Sequence, residues 1–257
     1  MSQETSYGID VLAFGAHPDD VELFCGGAMI TFAHLGYRTG IIDLSRGELA
    51  SQGTIDERSR EAEAAAKVLG LAVRENLGLP DGFIDPTAAS PHLPAVVDAI
   101  RRHRPELILA PWIEERHPDH VAAGWLLKRA TFFSGLTTYQ TPGRQAPFVP
   151  RQLLCYEMRH RMTPSFILDT SKAWVRKAEA IACHESQVVR RDAAAATLIS
   201  SPLAREAIEA RDRYRGSEIG CRYGEALYCP QVMGLADPLS HFRINDFPPA
   251  HAFEPTP

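Results

Sequence analysis

The chain is predicted to fold as an α/β domain, doubly wound, with a mainly parallel Rossmann-like sheet and helices on both faces. Three observations predict it. Apolar runs of strand length alternate with stretches of helical periodicity. Several of the helical stretches carry recognisable start and stop residues. The tripeptide His-Pro-Asp occurs twice, at 17–19 and 117–119, each time just after an apolar run. A β-α-β-α order implies parallel strands joined by right-handed crossovers. In such sheets ligands sit at the carboxyl ends of strands, near a topological switch point.

Residues 9–15 read as the first strand. Residues 21–36 place Val21, Leu23, Phe24, Ala28, Met29, Phe32, Ala33 and Leu35 at approximately helical spacing and stop at Gly36. Residues 39–44 form a second buried strand. Thr54 caps a helix over 55–69, with Glu57 at the capping-box position and Gly70 as the stop. Residues 71–80 read as a short strand and loop, closed by Leu79-Pro80-Asp81-Gly82. A helix over 93–103, a strand over 106–112 and a helix over 119–133 follow. Pro18 and Pro118 suit the first turn of a helix, where a missing N–H costs little.

The C-terminal part is less regular. Pro142, Gly143, Pro147 and Pro150 mark 139–150 as a loop. Residues 153–158 and 166–169 are further strand candidates, and 171–184 and 202–215 read as helices. The Pro-rich stretch 247–257 is expected to be irregular. A single domain over 1–257 is expected, with the His/Asp core in about 8–135 and the part from about 150 to 240 completing the pocket.

Composition narrows the function. The 257 residues are 45% apolar and 23% charged, with a net charge of −5, which fits an ordinary soluble domain. No basic stretch points to nucleic acid. No apolar run approaches the ~20 residues of a membrane span. Residues 1–7 lack the basic and apolar regions of a signal peptide. The five cysteines are odd in number and include no CxxC pair, which argues against a disulfide framework or a cysteine zinc site. Reduced thiols in the cytoplasm are the expectation, with Cys25 as a buried apolar thiol. Gly26-Gly27 lacks the GxGxxG pattern of a dinucleotide site.

The twin motif carries the chemistry. One His-Pro-Asp says little, because Asp and Pro favour turns for local backbone reasons. Two of them at strand ends can converge on one metal ion. Zinc takes imidazole nitrogens and carboxylate oxygens, and a catalytic site keeps one position open. His17 and Asp20 are three residues apart, as are His117 and His120. His17, Asp20 and one histidine of the second motif would make two imidazoles and one carboxylate. Asp19 and the other histidine then remain beside the metal as proton acceptor and oxyanion or leaving-group partner. Spacing alone does not choose between His117 and His120, nor between Asp19 and Asp20. The ligand set admits Zn2+ but also Fe2+, cobalt or manganese.

Ala16-His17-Pro18-Asp19-Asp20, with His117-Pro118-Asp119-His120 about 100 residues on, resembles the LmbE/PIG-L zinc-dependent deacetylases. The resemblance runs from about Asp10 to about Leu239. It is closest to the bacillithiol-pathway branch, in the stretches 10–22, 43–49 and 75–81, and in Pro164-Ser165-Phe166, Glu185-Ser186-Gln187 and Tyr223-Gly224-Glu225-Ala226. It implies that His17, Asp20 and His120 hold zinc, that Asp19 is the general base, and that His117 stabilises the tetrahedral intermediate or acts as acid. It implies a small-molecule amino-sugar substrate, N-acetylglucosaminyl malate in particular, and a homo-oligomer such as a hexamer. Malate carries two carboxylates, for which arginine forks are suited. Arg58 and Arg116 look like family positions near the substrate. Arg46 is a further candidate in the Ser-Arg-Gly-Glu loop, and Tyr223 is a candidate donor to an oxyanion.

Overall fold

The structure, a computed structural model, describes residues 8–189 and 199–237; the Pro-rich stretch 247–257 lies outside the described residues. The elements run in the order β1 (Val11–Gly15), α1 (Asp20–His34), β2 (Thr39–Ser45), α2 (Ile55–Leu69), β3 (Val73–Leu79), α3 (Leu93–His103), β4 (Leu107–Pro111), α4 (Pro118–Ser134) and β5 (Gln152–Tyr156). They continue with β6 (Phe166–Asp169), α5 (Trp174–Ala182), the one-turn α6 (Glu185–Val188), α7 (Pro202–Glu218) and β7 (Gly224–Tyr228).

The strands form one seven-stranded sheet in the order β3-β2-β1-β4-β5-β7-β6. The first five are parallel, and β7 runs antiparallel to both its neighbours. Side chains alternate across β1. Leu12 and Phe14 enter a core with Val96 and Ile100 of α3 and Leu126 and Leu127 of α4. Val11 and Ala13 enter the opposite core with Met29 and Ile30 of α1 and Ala180 and Ile181 of α5. A strand covered on both faces must be apolar at every position, so the first strand is a continuous apolar run and not an alternating one.

Local signals act as read. Thr54 accepts from Glu57 N–H while Glu57 reaches back to Thr54 N–H, and Gly70 ends α2 in the left-handed conformation at φ 74°. Pro118 opens α4. One reading needs correction: the helix expected over 171–184 begins at Trp174 and breaks at Cys183–His184 before α6. The strand β7 has no counterpart in the sequence reading, because its buried Glu225 looks like a surface residue and hides the apolar pattern.

Glu225 explains the second glycine of the Gly26-Gly27 pair. Helix α1 leaves helical geometry at Cys25 (φ −141°, ψ 21°) and then restarts. The N–H groups exposed by that break, on Gly27 and Ala28, donate to the two oxygens of Glu225 at 2.9 and 2.6 Å. A Cβ on Gly27 would lie 2.7 Å from Glu225 Oε1 and 2.9 Å from Thr170 Cβ, so the close approach requires glycine. Lys177, fully buried, donates to Glu225 at 2.6 Å and to Asp212 at 2.6 Å. Removing one partner of such a buried cluster costs about 3–5 kcal/mol. Glu225→Ala is therefore expected to lower the melting temperature by roughly 10 °C, and Glu225→Gln, which keeps an acceptor for the α1 amides, by less. Calorimetry checks this; an Ala variant melting like the wild type would remove the capping role.

Candidate metal centre and its cavity

The chain winds outward from β1 through β2 to β3, then crosses to β4 on the other side of β1. This reversal is the switch point, and the carboxyl ends of β1 and β4 open into one crevice there. Both His-Pro-Asp motifs lie at that edge. His17, Asp19, Asp20, Arg58, His117 and His120 line a cavity of about 260 Å³.

Asp20, the first residue of α1, joins the two motifs. Its Oδ2 accepts the His17 backbone N–H at 2.9 Å and lies 3.5 Å from His17 Nδ1. Its Oδ1 lies 3.1 Å from His120 Nε2. Donor atoms around a tetrahedral zinc with bonds of about 2.0–2.1 Å are about 3.3–3.4 Å apart. The His17–Asp20 and His120–Asp20 spacings lie near that value, each through a different oxygen of Asp20. On the far side of the His17 ring, Nε2 lies 3.0 Å from Asp81 Oδ1 and 3.4 Å from Asp119 Oδ2. A carboxylate behind a histidine ligand fixes its tautomer and raises its basicity. His17, His117 and His120 also bring one nitrogen each within 4.8 Å of one another.

Hydrogen bonding separates the two histidines of the second motif. His117 is the N-cap of α4, and its Nδ1 accepts the Asp119 N–H at 3.2 Å. In the neutral ring the proton is then on Nε2, which becomes a donor. Burial, together with His17 and His120, lowers the His117 pKa and so favours the neutral ring. His120 instead meets Asp20 through Nε2.

Asp19 occupies an unusual backbone conformation, φ 130° and ψ −25°. Such a residue persists only where its surroundings over-determine it. Here Arg58 does so. Its Nη2 donates to Pro18 O at 2.8 Å and lies 3.7 Å from Asp19 Oδ2, and its Nη1 donates to Gly47 O at 3.1 Å. A Cβ on Gly47 would lie 1.8 Å from Arg58 Nη1, so the loop after β2 needs glycine there. Burial, reinforced by Asp20, pushes the Asp19 carboxyl up to about 6 against the pull of Arg58, His184 and His17. The Asp20 carboxyl moves the other way: its burial is outweighed by His120 and His17.

Four residues expected around the substrate fare differently. Arg58 lines the cavity but is spent on the Pro18 and Gly47 carbonyls. Arg116 lines it with an exposed side chain. Arg46 is corrected: it is exposed and lines a separate cleft with Asp43, Asp56 and Arg74. Tyr223 is corrected too. Its ring stacks on Trp174 at 4.5 Å, its hydroxyl donates to Glu209 at 2.9 Å, and it is absent from the cavity wall. Asp81, Asp119 and Arg159 reach the site with no role assigned from the sequence. Asp81 was findable, since it follows the carboxyl end of β3 in a Pro-Asp-Gly turn.

A buried ionic network lies under the site. Glu22, on the first turn of α1, pairs with Arg74 and sits 3.0 Å from His184 Nε2. Arg74 also forks onto Asp43 at 2.9 and 3.1 Å. Burial raises the Glu22 carboxyl, but Arg74 and His184 outweigh it and hold the group far below the usual range.

A mainly parallel sheet with an acid–imidazole cluster at its switch point, and the Arg58-paired Asp19 and N-capping His117 beside it, defines a candidate metal-dependent enzyme. The chain belongs to the PIG-L family, whose sequence profile, described as GlcNAc-PI de-N-acetylase, matches residues 12–131. It is 28% identical over 187 residues to diacetylchitobiose deacetylase of Thermococcus kodakarensis, covering 69% of each chain. It is 30% identical over 196 residues to 4-oxalmesaconate hydratase of Pseudomonas putida, covering 68% of this chain and 73% of that one. Its fold matches that of a conserved protein of Thermus thermophilus with a TM-score of 0.78 and 35% identity, over 89% of this chain and 98% of that one.

The carboxylate behind His17 and the ionic network beneath α1 each make a prediction. Asp81→Asn should weaken metal binding by about 10–100-fold while the protein stays folded, read by equilibrium dialysis; unchanged affinity would separate Asp81 from the centre. The network governs acid stability. The folded Glu22 carboxyl titrates below its unfolded value of about 4.3, so its ion pairs stabilise the fold above that pH and are lost as pH falls. The melting temperature should drop from about pH 6 to about pH 3.5 more steeply in wild type than in Glu22→Gln, and parallel curves would contradict it.

Proposed function

We propose that this protein hydrolyses the N-acetyl group of an N-acetylglucosamine derivative to a free amine and acetate. The carrying observation is the convergence at the switch point: Asp20 lies against both His17 and His120, Arg58 latches the backbone at Asp19, and His117 accepts the Asp119 N–H. In this reading His17, Asp20 and His120 would hold a divalent ion, with Asp19 and His117 beside it. The ion, Zn2+ or Fe2+, when bound supplies Lewis acidity toward the amide carbonyl and lowers the pKa of water. Asp19 takes the proton from the attacking water as the new C–O bond forms. His117, neutral with its proton on Nε2, donates to the developing oxyanion. Collapse breaks the C–N bond, and the proton held by Asp19 passes to the departing amine. The backbone of Asp19, latched by Arg58, would leave its carboxylate beside the ligands as a proton acceptor.

The particular substrate we propose is N-acetylglucosaminyl malate. Support comes from the stretches shared with the bacillithiol-pathway branch and from Arg116 at the cavity wall. The Pseudomonas putida relative favours a second reading, addition of water to an unsaturated carboxylic acid, for which the same Asp19 and His117 pair would move protons. Acetate release from N-acetylglucosaminides, beside consumption of an unsaturated dicarboxylate, decides between them.

Asp19→Asn is expected to keep one metal ion per chain and lose acetate release by about 10²–10⁴-fold. Retained turnover would remove Asp19 as the base. Because the base must be ionised, rate should fall on the acid side with an apparent pKa between the ordinary aspartate value of about 3.9 and about 6, as the bound cation opposes the effect of burial. A pH profile flat down to about pH 4 would contradict this.

A further inference from the structure

The outer wall of the cavity holds a feature that the hydrolytic chemistry leaves unused. Arg116, on the loop after β4, and Arg159, on the loop after β5, both line it. The buried Arg74, Arg101 and Arg215 are saturated with acceptors, whereas Arg116 is exposed and Arg159 half-buried. Neither the Arg116 nor the Arg159 guanidinium has a hydrogen-bond or ion-pair partner among the described residues; their bonds are made by backbone N–H alone.

Glu115 holds the two together. Its Oε1 accepts the Arg116 N–H at 2.6 Å, and its Oε2 accepts the N–H groups of Arg159 and His160 at 2.8 and 2.9 Å. One carboxylate thus ties the second His-Pro-Asp loop to the loop after β5. Its oxygens are occupied by amides, so it places the arginines without pairing their side chains. The arginines sense one another: burial lowers the Arg159 pKa, Arg116 and Arg211 lower it further, and the Glu115 carboxylate offsets part of this. Two like charges sharing one wall repel, and an anion between them would relieve that repulsion.

We infer that Arg159 and Arg116, positioned by Glu115, form an anion subsite that takes the carboxylate of an acidic aglycone while the sugar amide lies at the metal centre. This rests on the reading of the cavity as an N-deacetylase site. It adds Arg159 as a specificity residue and assigns Arg58 to the loop latch instead of substrate binding. A free unsaturated acid would present the same carboxylates, so the test separates the two sources.

The experiment is calorimetric titration of the full-length, metal-loaded protein with L-malate, with methyl N-acetylglucosaminide and with N-acetylglucosaminyl malate. Arg159→Gln and Arg159→Lys are compared with the wild type, and melting curves verify folding. The inference expects L-malate to bind, the conjugate to bind more tightly than either part, and Arg159→Gln to weaken malate and conjugate by at least about tenfold. Arg159→Lys should recover part of the loss, and added salt should weaken binding. Wild-type affinity for malate in Arg159→Gln would overturn the subsite, as would absence of malate binding. A conjugate no tighter than malate alone would overturn the aglycone assignment. Acetate release by the wild type reports the underlying deacetylase reading separately: malate binding without any release sinks that reading and leaves the anion subsite.

Discussion

The Asp20 carboxylate is the contact on which the site depends. One oxygen faces His17 of its own motif, and the other reaches His120 across the crevice. This is possible only because β1 and β4 are parallel neighbours, with Ala13 paired to Leu109, so both chains end at the same edge of the sheet. Had β4 been added beyond β3, the second motif would lie three strands away. The switch in strand order thus converts two similar tripeptides, a hundred residues apart, into one centre.

Ionic clusters buried beneath α1 fix the piece of backbone that carries Asp20. Glu22 ties the first turn to Arg74 and His184, and Glu225 grips the restarted helix at Gly27 and Ala28. Buried ion pairs add little over a well-packed apolar core, yet losing one partner is severe. Their value here is placement. Together they hold the first turns of α1, which carry Asp20, at Glu22 and at Gly27–Ala28. Arg58 does the same for Asp19 from the loop side, which explains why a cavity arginine points its donors at two carbonyls.

Much of this was legible in the residues. Alternating runs, the Thr54–Glu57 box and Gly70 mark the elements of the first half, and the twin motif marks the centre. The losses have physical causes. The strand β7 is hidden because Glu225, buried against Lys177, mimics a surface position. Arg46 sits in a suggestive loop, but it lines the separate cleft beside Asp43 and Arg74, a direction that sequence spacing does not encode. Tyr223 is drawn off by the Trp174 ring and Glu209. Arg159 comes from an irregular loop with no motif, and only the carboxylate of Glu115 brings it to Arg116. Asp81 was within reach, because the carboxyl-end rule that located both histidine motifs applies equally to β3.

The central claim is that nearly identical motifs take unequal parts, with His120 a ligand and His117 a donor. The most direct test is metal stoichiometry in two variants. The account predicts that His117→Ala retains one tightly bound ion per chain after dialysis, while His120→Ala retains none. An ion lost from His117→Ala and kept by His120→Ala would contradict it.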